Sequence, residues 1–184
     1  MFSKKTQVVW NTRTLAILGM MIALTIVLTR VLSINIGGAV RLSAGHVCTI
    51  LTGLWFGPAA GGAAGAIADM LGLLLAPSGT WMPLITIGAA LWGIIPGFLA
   101  GTVCGSARQK TLRLSMIVVL TSVICQLGVT LAGLVILYGW GIIPGRLIQF
   151  AGSTPLYCVL VSLLYASPVT GMVREQTQLK EAAK

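Results

Sequence analysis

Charge is what this chain lacks, and all of its few charges but Arg30, Asp69 and Arg146 lie outside six long apolar runs. Of 184 residues, 8% are charged and 57% are hydrophobic, against roughly 25% charged in ordinary soluble domains. A water-facing surface cannot be built from so little charge. Lipid removes the need for one, because it solvates the outer face of each apolar helix. The pattern predicts an all-α integral membrane protein of the cell membrane, a compact bundle of six transmembrane helices forming a single domain over residues 1–184. The runs cover about 14–33, 42–56, 58–76, 81–104, 114–138 and 146–172. The first follows a basic N-terminus as a signal peptide would, but it is long enough to span and lacks an A-x-A cleavage site, so it reads as a retained helix. The second is short for a span of about 20 residues. Phe56-Gly57-Pro58 breaks it from the third, which Pro77-Ser78-Gly79 ends.

The 12 Lys and Arg residues set the orientation. Lys4, Lys5, Arg13, Arg108, Lys110, Arg113, Arg174, Lys180 and Lys184 lie in the end segments or in the 105–113 linker. The positive-inside rule makes these segments, and hence both termini, cytoplasmic. Residues 34–41, 77–80 and 139–145 then face outward. The flanking placement argues against nucleic acid as a partner despite a net charge of +9; membrane lipid is the expected surrounding. Arg30, Arg41 and Arg146 fall outside, break the rule and need a reason.

Polar residues gather on particular helix faces. Pro58, Gly62, Gly65, Asp69, Gly72 and Ala76 recur at steps of three and four on the third helix. Tight helix packing accounts for the glycines. It does not account for Asp69, because a carboxylate inside a span costs about 2.5–3.5 kcal/mol and should point into the protein. Either a ligand or a structural ion pair with an outer arginine would hold it there. Arg146, Gln149, Ser153 and Tyr157 share a face of the sixth helix; Ser122, Gln126, Thr130 and Gly133 share one of the fifth; His46, Thr49 and Gly53 align on the second. By helix direction Arg41, His46, Asp69, Arg146 and Gln149 converge in the outer half of the bundle, as a pocket would require. Trp81 and Trp140 sit at the outer rim, where Trp is either an interface anchor or a stacking partner.

Much catalytic equipment is missing. No G-x-x-x-x-G-K-[ST] phosphate loop occurs. The 3 acidic residues are Asp69, Glu175 and Glu181, the last two in the tail, so no paired carboxylates exist for two-metal or glycosidase chemistry. Ser43, His46 and Asp69 could be drawn as a triad, but nothing resembles a nucleophile elbow. Cys48, Cys104, Cys125 and Cys158 are scattered through apolar runs with no metal or disulfide spacing. The residues favour a binder over an enzyme, and no metal or cofactor is expected. A membrane enzyme acting on lipid or peptide and a ligand-free scaffold are the readings from other classes.

The segments Val40-Arg41-Leu42-Ser43, Thr49 through Pro58, and Gly61-Gly62-Ala63-Ala64-Gly65-Ala66-Ile67-Ala68-Asp69-Met70-Leu71-Gly72 resemble the substrate-binding S components of energy-coupling factor (ECF) vitamin transporters. The resemblance is greatest to the folate family, through Pro77-Ser78-Gly79 and Pro144-Gly145-Arg146-Leu147-Ile148. It departs from that family at Ala44–Thr49 and Met82–Thr86, where folate members tend to carry F-x-x-I-P and P-G-F-T segments. The resemblance implies a six-helix subunit that captures a vitamin from outside and works with a transmembrane coupling subunit and two cytoplasmic ATPases. It implies a substrate site that would draw on Arg41, His46, Asp69, Arg146, Gln149, Arg30 and Trp81. It also implies that Gly19 and Ala23, a small-x-x-x-small pair, dock the coupling subunit. Folate suits the set: Asp69 can accept from a pterin edge, and arginines bind carboxylates bidentately. Pantothenate and a deazapurine (queuosine) precursor are compatible as well. One tension stands. Arg30 lies seven residues beyond Ala23, hence on nearly the same helical stripe, which ranks it below Arg41 and Arg146 as a pocket residue.

Overall fold

The computed structural model describes residues 12–173 except 32, 37–39, 76–81, 104–105, 169 and 172. The basic tails, Trp81 and Cys104 lie outside the described residues. α1 (Thr12–Ile26) passes directly into a π-helical turn, Val27–Val31. The connection after it is a small hairpin: β1 (Ile34–Ile36) pairs antiparallel with β2 (Val40–Leu42), Asn35 opposite Arg41. The hairpin takes Leu42, so the second helix starts later than its apolar run.

α2 runs from Gly45 to Leu75 and is interrupted only at Gly57, whose φ of 85° and ψ of 177° leave the helix. Only glycine adopts that backbone readily. Pro58 restarts the helix where its missing N–H has no intrahelical partner to lose. The break expected from Phe56-Gly57-Pro58 is therefore present, as a kink joining two arms. α3 (Pro83–Leu99) opens on Pro83 and closes in a 3₁₀ turn, Ala100–Thr102.

α4 (Ala107–Ser122), a π-helical segment (Val123–Thr130) and α5 (Leu131–Tyr138) run on without a gap. This rod begins earlier than the expected Leu114, because Ser106-x-x-Gln109 is a capping box. Gln109 Oε1 accepts the Ser106 N–H at 3.3 Å. The basic "linker" is thus mostly helix. Gly139 (φ 75°) ends α5, and a 3₁₀ turn, Trp140–Ile142, leads into α6 (Ile143–Ala166), which starts before the expected Arg146 with Pro144 in its first turn.

α2 is the central element. Every residue from Val47 to Phe56 is buried, and α2 packs most extensively on α3, then on α1. The α2–α3 crossing depends on glycine. A Cβ on Gly93 would run into the Gly61 carbonyl carbon and oxygen, one on Gly53 into the Gly93 oxygen, and one on Gly97 would stand 2.5 Å from Pro58 N. Small residues let the backbones meet, so dispersion and close packing replace a hydrophobic drive that is absent in lipid.

Three buried hydroxyls are satisfied within their own helices: Thr25, Thr52 and Thr121 donate to the carbonyls of Met21, Cys48 and Ile117 at 2.7, 2.8 and 2.7 Å, as Thr in an apolar helix commonly does. Ser122 Oγ and Thr154 Oγ1 are buried with no hydrogen-bond partner among the described residues. Cys48 and Cys125 are buried free thiols. Outward the molecule is apolar: Leu74, Met20 and Phe98 are 80, 76 and 74% exposed. Five helices among the described residues, Thr12–Val31, Gly45–Leu75, Pro83–Thr102, Arg108–Leu137 and Trp140–Ala166, are long and apolar enough to cross a membrane. An apolar exterior of this extent would aggregate in water and is at home in lipid. The chain is a multi-pass membrane protein.

Candidate functional site

At the end of the bundle where α1 finishes and α3 and α6 begin, a cavity of about 270 Å³ opens among all the helical rods. The polar faces read from the sequence meet there. His46 and Thr49 enter from the start of α2, Asp69 from its second arm, Gln126 and Thr130 from the π segment, and Arg146, Gln149 and Tyr157 from α6. Arg41 lies in β2 opposite Asn35; its side chain, like Trp81, is outside the described residues.

Asp69 is held on both carboxylate oxygens. Thr86 Oγ1 donates to Oδ2 at 2.9 Å, and Arg30 Nη2 stands 3.9 Å from Oδ1, with the two side chains only 12 and 16% exposed. Arg30 reaches this position by lying across Gly72, where a Cβ would sit 2.9 Å from its Nε. One glycine of the α2 stripe therefore makes room for a side chain rather than for a helix.

Arg30 lines the cavity, while Gly19 and Ala23 are exposed on the outer surface of α1. Helical periodicity alone set these placements against each other, and the structure accommodates both. Arg30 belongs to the π turn Val27–Val31, where the i→i+5 pattern departs from the 3.6-residue period on which the stripe arithmetic rests.

Arg146 is differently supported. Its Nη1 donates to Gln149 Oε1 at 2.8 Å, and its Nε is buried with no hydrogen-bond partner among the described residues. Asp69 is the one carboxylate in residues 12–173 and is engaged by Arg30 and Thr86. Arg146 is thus a cation at a cavity wall with no protein counter-ion among the described residues.

The cavity also holds an aromatic group. His46 lies flat on Trp92, centroids 4.5 Å apart and planes 4° from parallel, with Tyr157 edge-on to both at 6.1 and 5.5 Å. Tyr157 Oη donates to the Ser43 carbonyl at 2.9 Å, tying α6 to the entry of α2. Behind it Gln126 Nε2 donates to Ser153 Oγ at 3.1 Å. Among the described residues no side-chain hydrogen bond joins Ser43, His46 and Asp69, and the Asp69 carboxylate is engaged by Thr86 and Arg30, so no triad is assembled.

Sequence reasoning missed Trp92 and Thr86. Trp92 carried a usable signal, since Trp belongs at membrane interfaces and this one sits mid-span and buried. Thr86 carried one only through its segment, Met82–Thr86, set against the P-G-F-T of folate members; by itself a lone Thr in a span most often bonds its own helix. The arrangement can hold a molecule that presents hydrogen-bond donors to a carboxylate, a flat ring to an aromatic stack and an anion to arginine.

Residues 9–172 match the family model described as ECF-type riboflavin transporter, S component. The chain is 33% identical over 102 residues to the folate transporter FolT of Clostridium novyi (strain NT). That match takes in 55% of this chain and 59% of the relative, so the chain spans less than two thirds of the relative's length. A crystal structure of FolT bound with folic acid superposes with a TM-score of 0.72 at 25% identity, covering 84% of this chain and 93% of that one. The chain therefore belongs to the family of ECF-type riboflavin transporter S components, membrane transporter subunits rather than enzymes, and within it is similar to the folate transporters.

Proposed function

We propose that this chain is the substrate-capture subunit of an ECF importer, taking folate from the outer side of a bacterial-type plasma membrane. The observation that carries the reading is the amphoteric cavity, in which Asp69 faces the same space as Arg146, a cation without a protein counter-ion among the described residues. A pterin edge offers an amino group and a ring N–H side by side, which the Asp69 carboxylate can accept together. The glutamate tail carries carboxylates for Arg146, and for Arg41 of the hairpin. The ring would stack on the His46–Trp92 pair.

Other ligands of the family use less of this set. Riboflavin is neutral and leaves Arg146 without an anion. Pantothenate has a carboxylate but no ring for His46 or donor edge for Asp69. A deazapurine precursor has the edge without the carboxylate. The likeness to a FolT bound with folic acid supports the same choice.

Transport needs energy, and the sequence contains no phosphate loop. ATP hydrolysis then belongs to two cytoplasmic ATPases acting through a membrane coupling subunit. Gly19 and Ala23, exposed on α1, are the docking surface in this scheme. With the two arms of α2 counted separately there are six spans, and both termini are cytoplasmic. No cofactor is involved; folate is cargo.

The test is calorimetric titration of the detergent-purified, vitamin-free chain with folate, riboflavin and pantothenate. Folate should bind at least about tenfold tighter than either control, a difference of about 1.4 kcal/mol. Riboflavin binding tighter than folate would move the assignment to the vitamin in the family's description. A second expectation concerns Thr86. Thr86→Val removes the donor that orients Asp69, and folate affinity should fall roughly tenfold, from a charge-assisted bond of about 1.5 kcal/mol. Thr86→Ser should restore it; equal loss in both variants would mean that packing at Thr86, not its hydroxyl, matters.

A further inference from the structure

At the end of the bundle opposite the cavity, α3 finishes beside the first turns of α4, and the two leave a groove of about 260 Å³. Leu99, Met116, Ile117 and Leu120 make its apolar walls, with Thr102 and Arg113 at its rim. Ile117 is buried as the floor, whereas Met116 and Leu120 are largely exposed. Arg113 is fixed rather than free: its Nη1 donates to the Thr102 carbonyl at 2.7 Å. That carbonyl belongs to the final turn of α3, so the guanidinium is anchored at the mouth with further N–H donors available.

The order of residues along α4 is informative. Lys110, Arg113, Met116, Ile117 and Leu120 succeed one another at steps of three, three, one and three, so they share one face. That face changes from cationic to apolar in the direction of the membrane interior. Arg108 adds a third exposed cation on the same first turns. Among the described residues the sole ion pair is Arg30 with Asp69, at the far end of the molecule. The cations at this rim therefore face no described carboxylate.

We propose that this groove is a binding site for an anionic phospholipid. The phosphate sits on Arg113 and Lys110, and one acyl chain lies along Met116, Ile117 and Leu120 against Leu99. Charge complementarity selects the anionic headgroup, since a basic segment at a helix end attracts anionic lipid within a Debye length of the surface. The apolar groove beneath selects a tethered chain over a free anion. The site does not rest on the folate reading, because it shares no residue with the cavity.

The experiment uses the full chain, delipidated in detergent. Its Tm is recorded while phosphatidylglycerol or phosphatidylcholine is added, and native mass spectrometry counts retained lipids. Phosphatidylglycerol should raise Tm by roughly 4 °C or more beyond phosphatidylcholine at saturating lipid. Arg113→Gln should abolish that preference, and Arg13→Gln, a basic change on α1 away from the groove, should leave it intact. Glycerol phosphate, which has the headgroup charge but no chain, should do nothing. Equal stabilisation by both lipids, or a preference that survives Arg113→Gln in both readouts, would overturn the proposal. A response to glycerol phosphate alone would make the rim a soluble-anion site and overturn it equally. Indifference to every lipid would also overturn it, leaving the groove to a protein partner.

Discussion

Asp69→Asn is expected to weaken folate binding on the order of 100-fold, the largest loss available from one cavity residue, with the chain still folded. Among the described residues lining the cavity, the carboxylate is the only acceptor-only side chain. Hydrogen bonds to a charged acceptor contribute about 1.5–3 kcal/mol, and each 1.4 kcal/mol is about tenfold in affinity. Asparagine keeps the shape but turns an N–H₂ donor toward donors on the ligand, so one bond is lost and a clash of like groups replaces it. Arg30 complicates the reading, because it stands 3.9 Å from Asp69 Oδ1 and loses its partner in the variant. A double-mutant cycle with Arg30→Gln separates the two effects. If Asp69 contacts folate directly, Asp69→Asn remains costly in the Arg30→Gln background. If it merely positions Arg30, the second substitution is silent there. Calorimetry on the four proteins, with Tm recorded for each, decides; affinity within about threefold of the parent in Asp69→Asn would rule out the pterin-edge contact.

Gly93→Val is expected to be the most damaging change outside the cavity, costing about 3 kcal/mol or more and reducing the yield of monodisperse protein. A Cβ at this position meets the backbone of Gly61 rather than the end of a flexible side chain. Relief would require α2 and α3 to separate along their main contact. The separation would also move Thr86 and Trp92 away from Asp69 and His46, since each pair joins α3 to α2. Folding and site assembly thus depend on the same crossing. Gly19→Val is the matched control, because a Cβ there meets nothing within 4 Å. Its Tm should stay within about 1 °C of the parent in detergent, as for an exposed position away from packed features. A Gly93→Val protein as stable as Gly19→Val would mean that the crossing can widen without penalty.

The apolar runs made membrane insertion legible, and the glycine-proline break at Gly57-Pro58 was legible for the same local reason: backbone conformation there depends on residue type alone. The polar stripes on α2 and α6 were legible too, because a helix without interruption keeps its period, and His46, Asp69, Arg146 and Gln149 do line one cavity. The position of Arg30 on the cavity wall was not legible, because period arithmetic assumes an unbroken α-helix and Arg30 lies within the π turn Val27–Val31. The early start of α4 was readable from Ser106-x-x-Gln109 and was missed because a run of basic residues looked like a linker.

Sequence by itself determined the solvent of this protein, its helical segments and which faces carry polarity, since these depend on local propensity and on the cost of burying charge in lipid. It could not assign partners. That Asp69 takes Thr86 on one oxygen and Arg30 on the other, that His46 lies on Trp92, and that Arg146 is left without a described counter-ion were decided by the tertiary structure alone. These contacts join residues from different helices, and their geometry is set by how closely α2 and α3 approach at Gly61 and Gly93. A helical period specifies the direction a side chain points; only packing specifies what it meets.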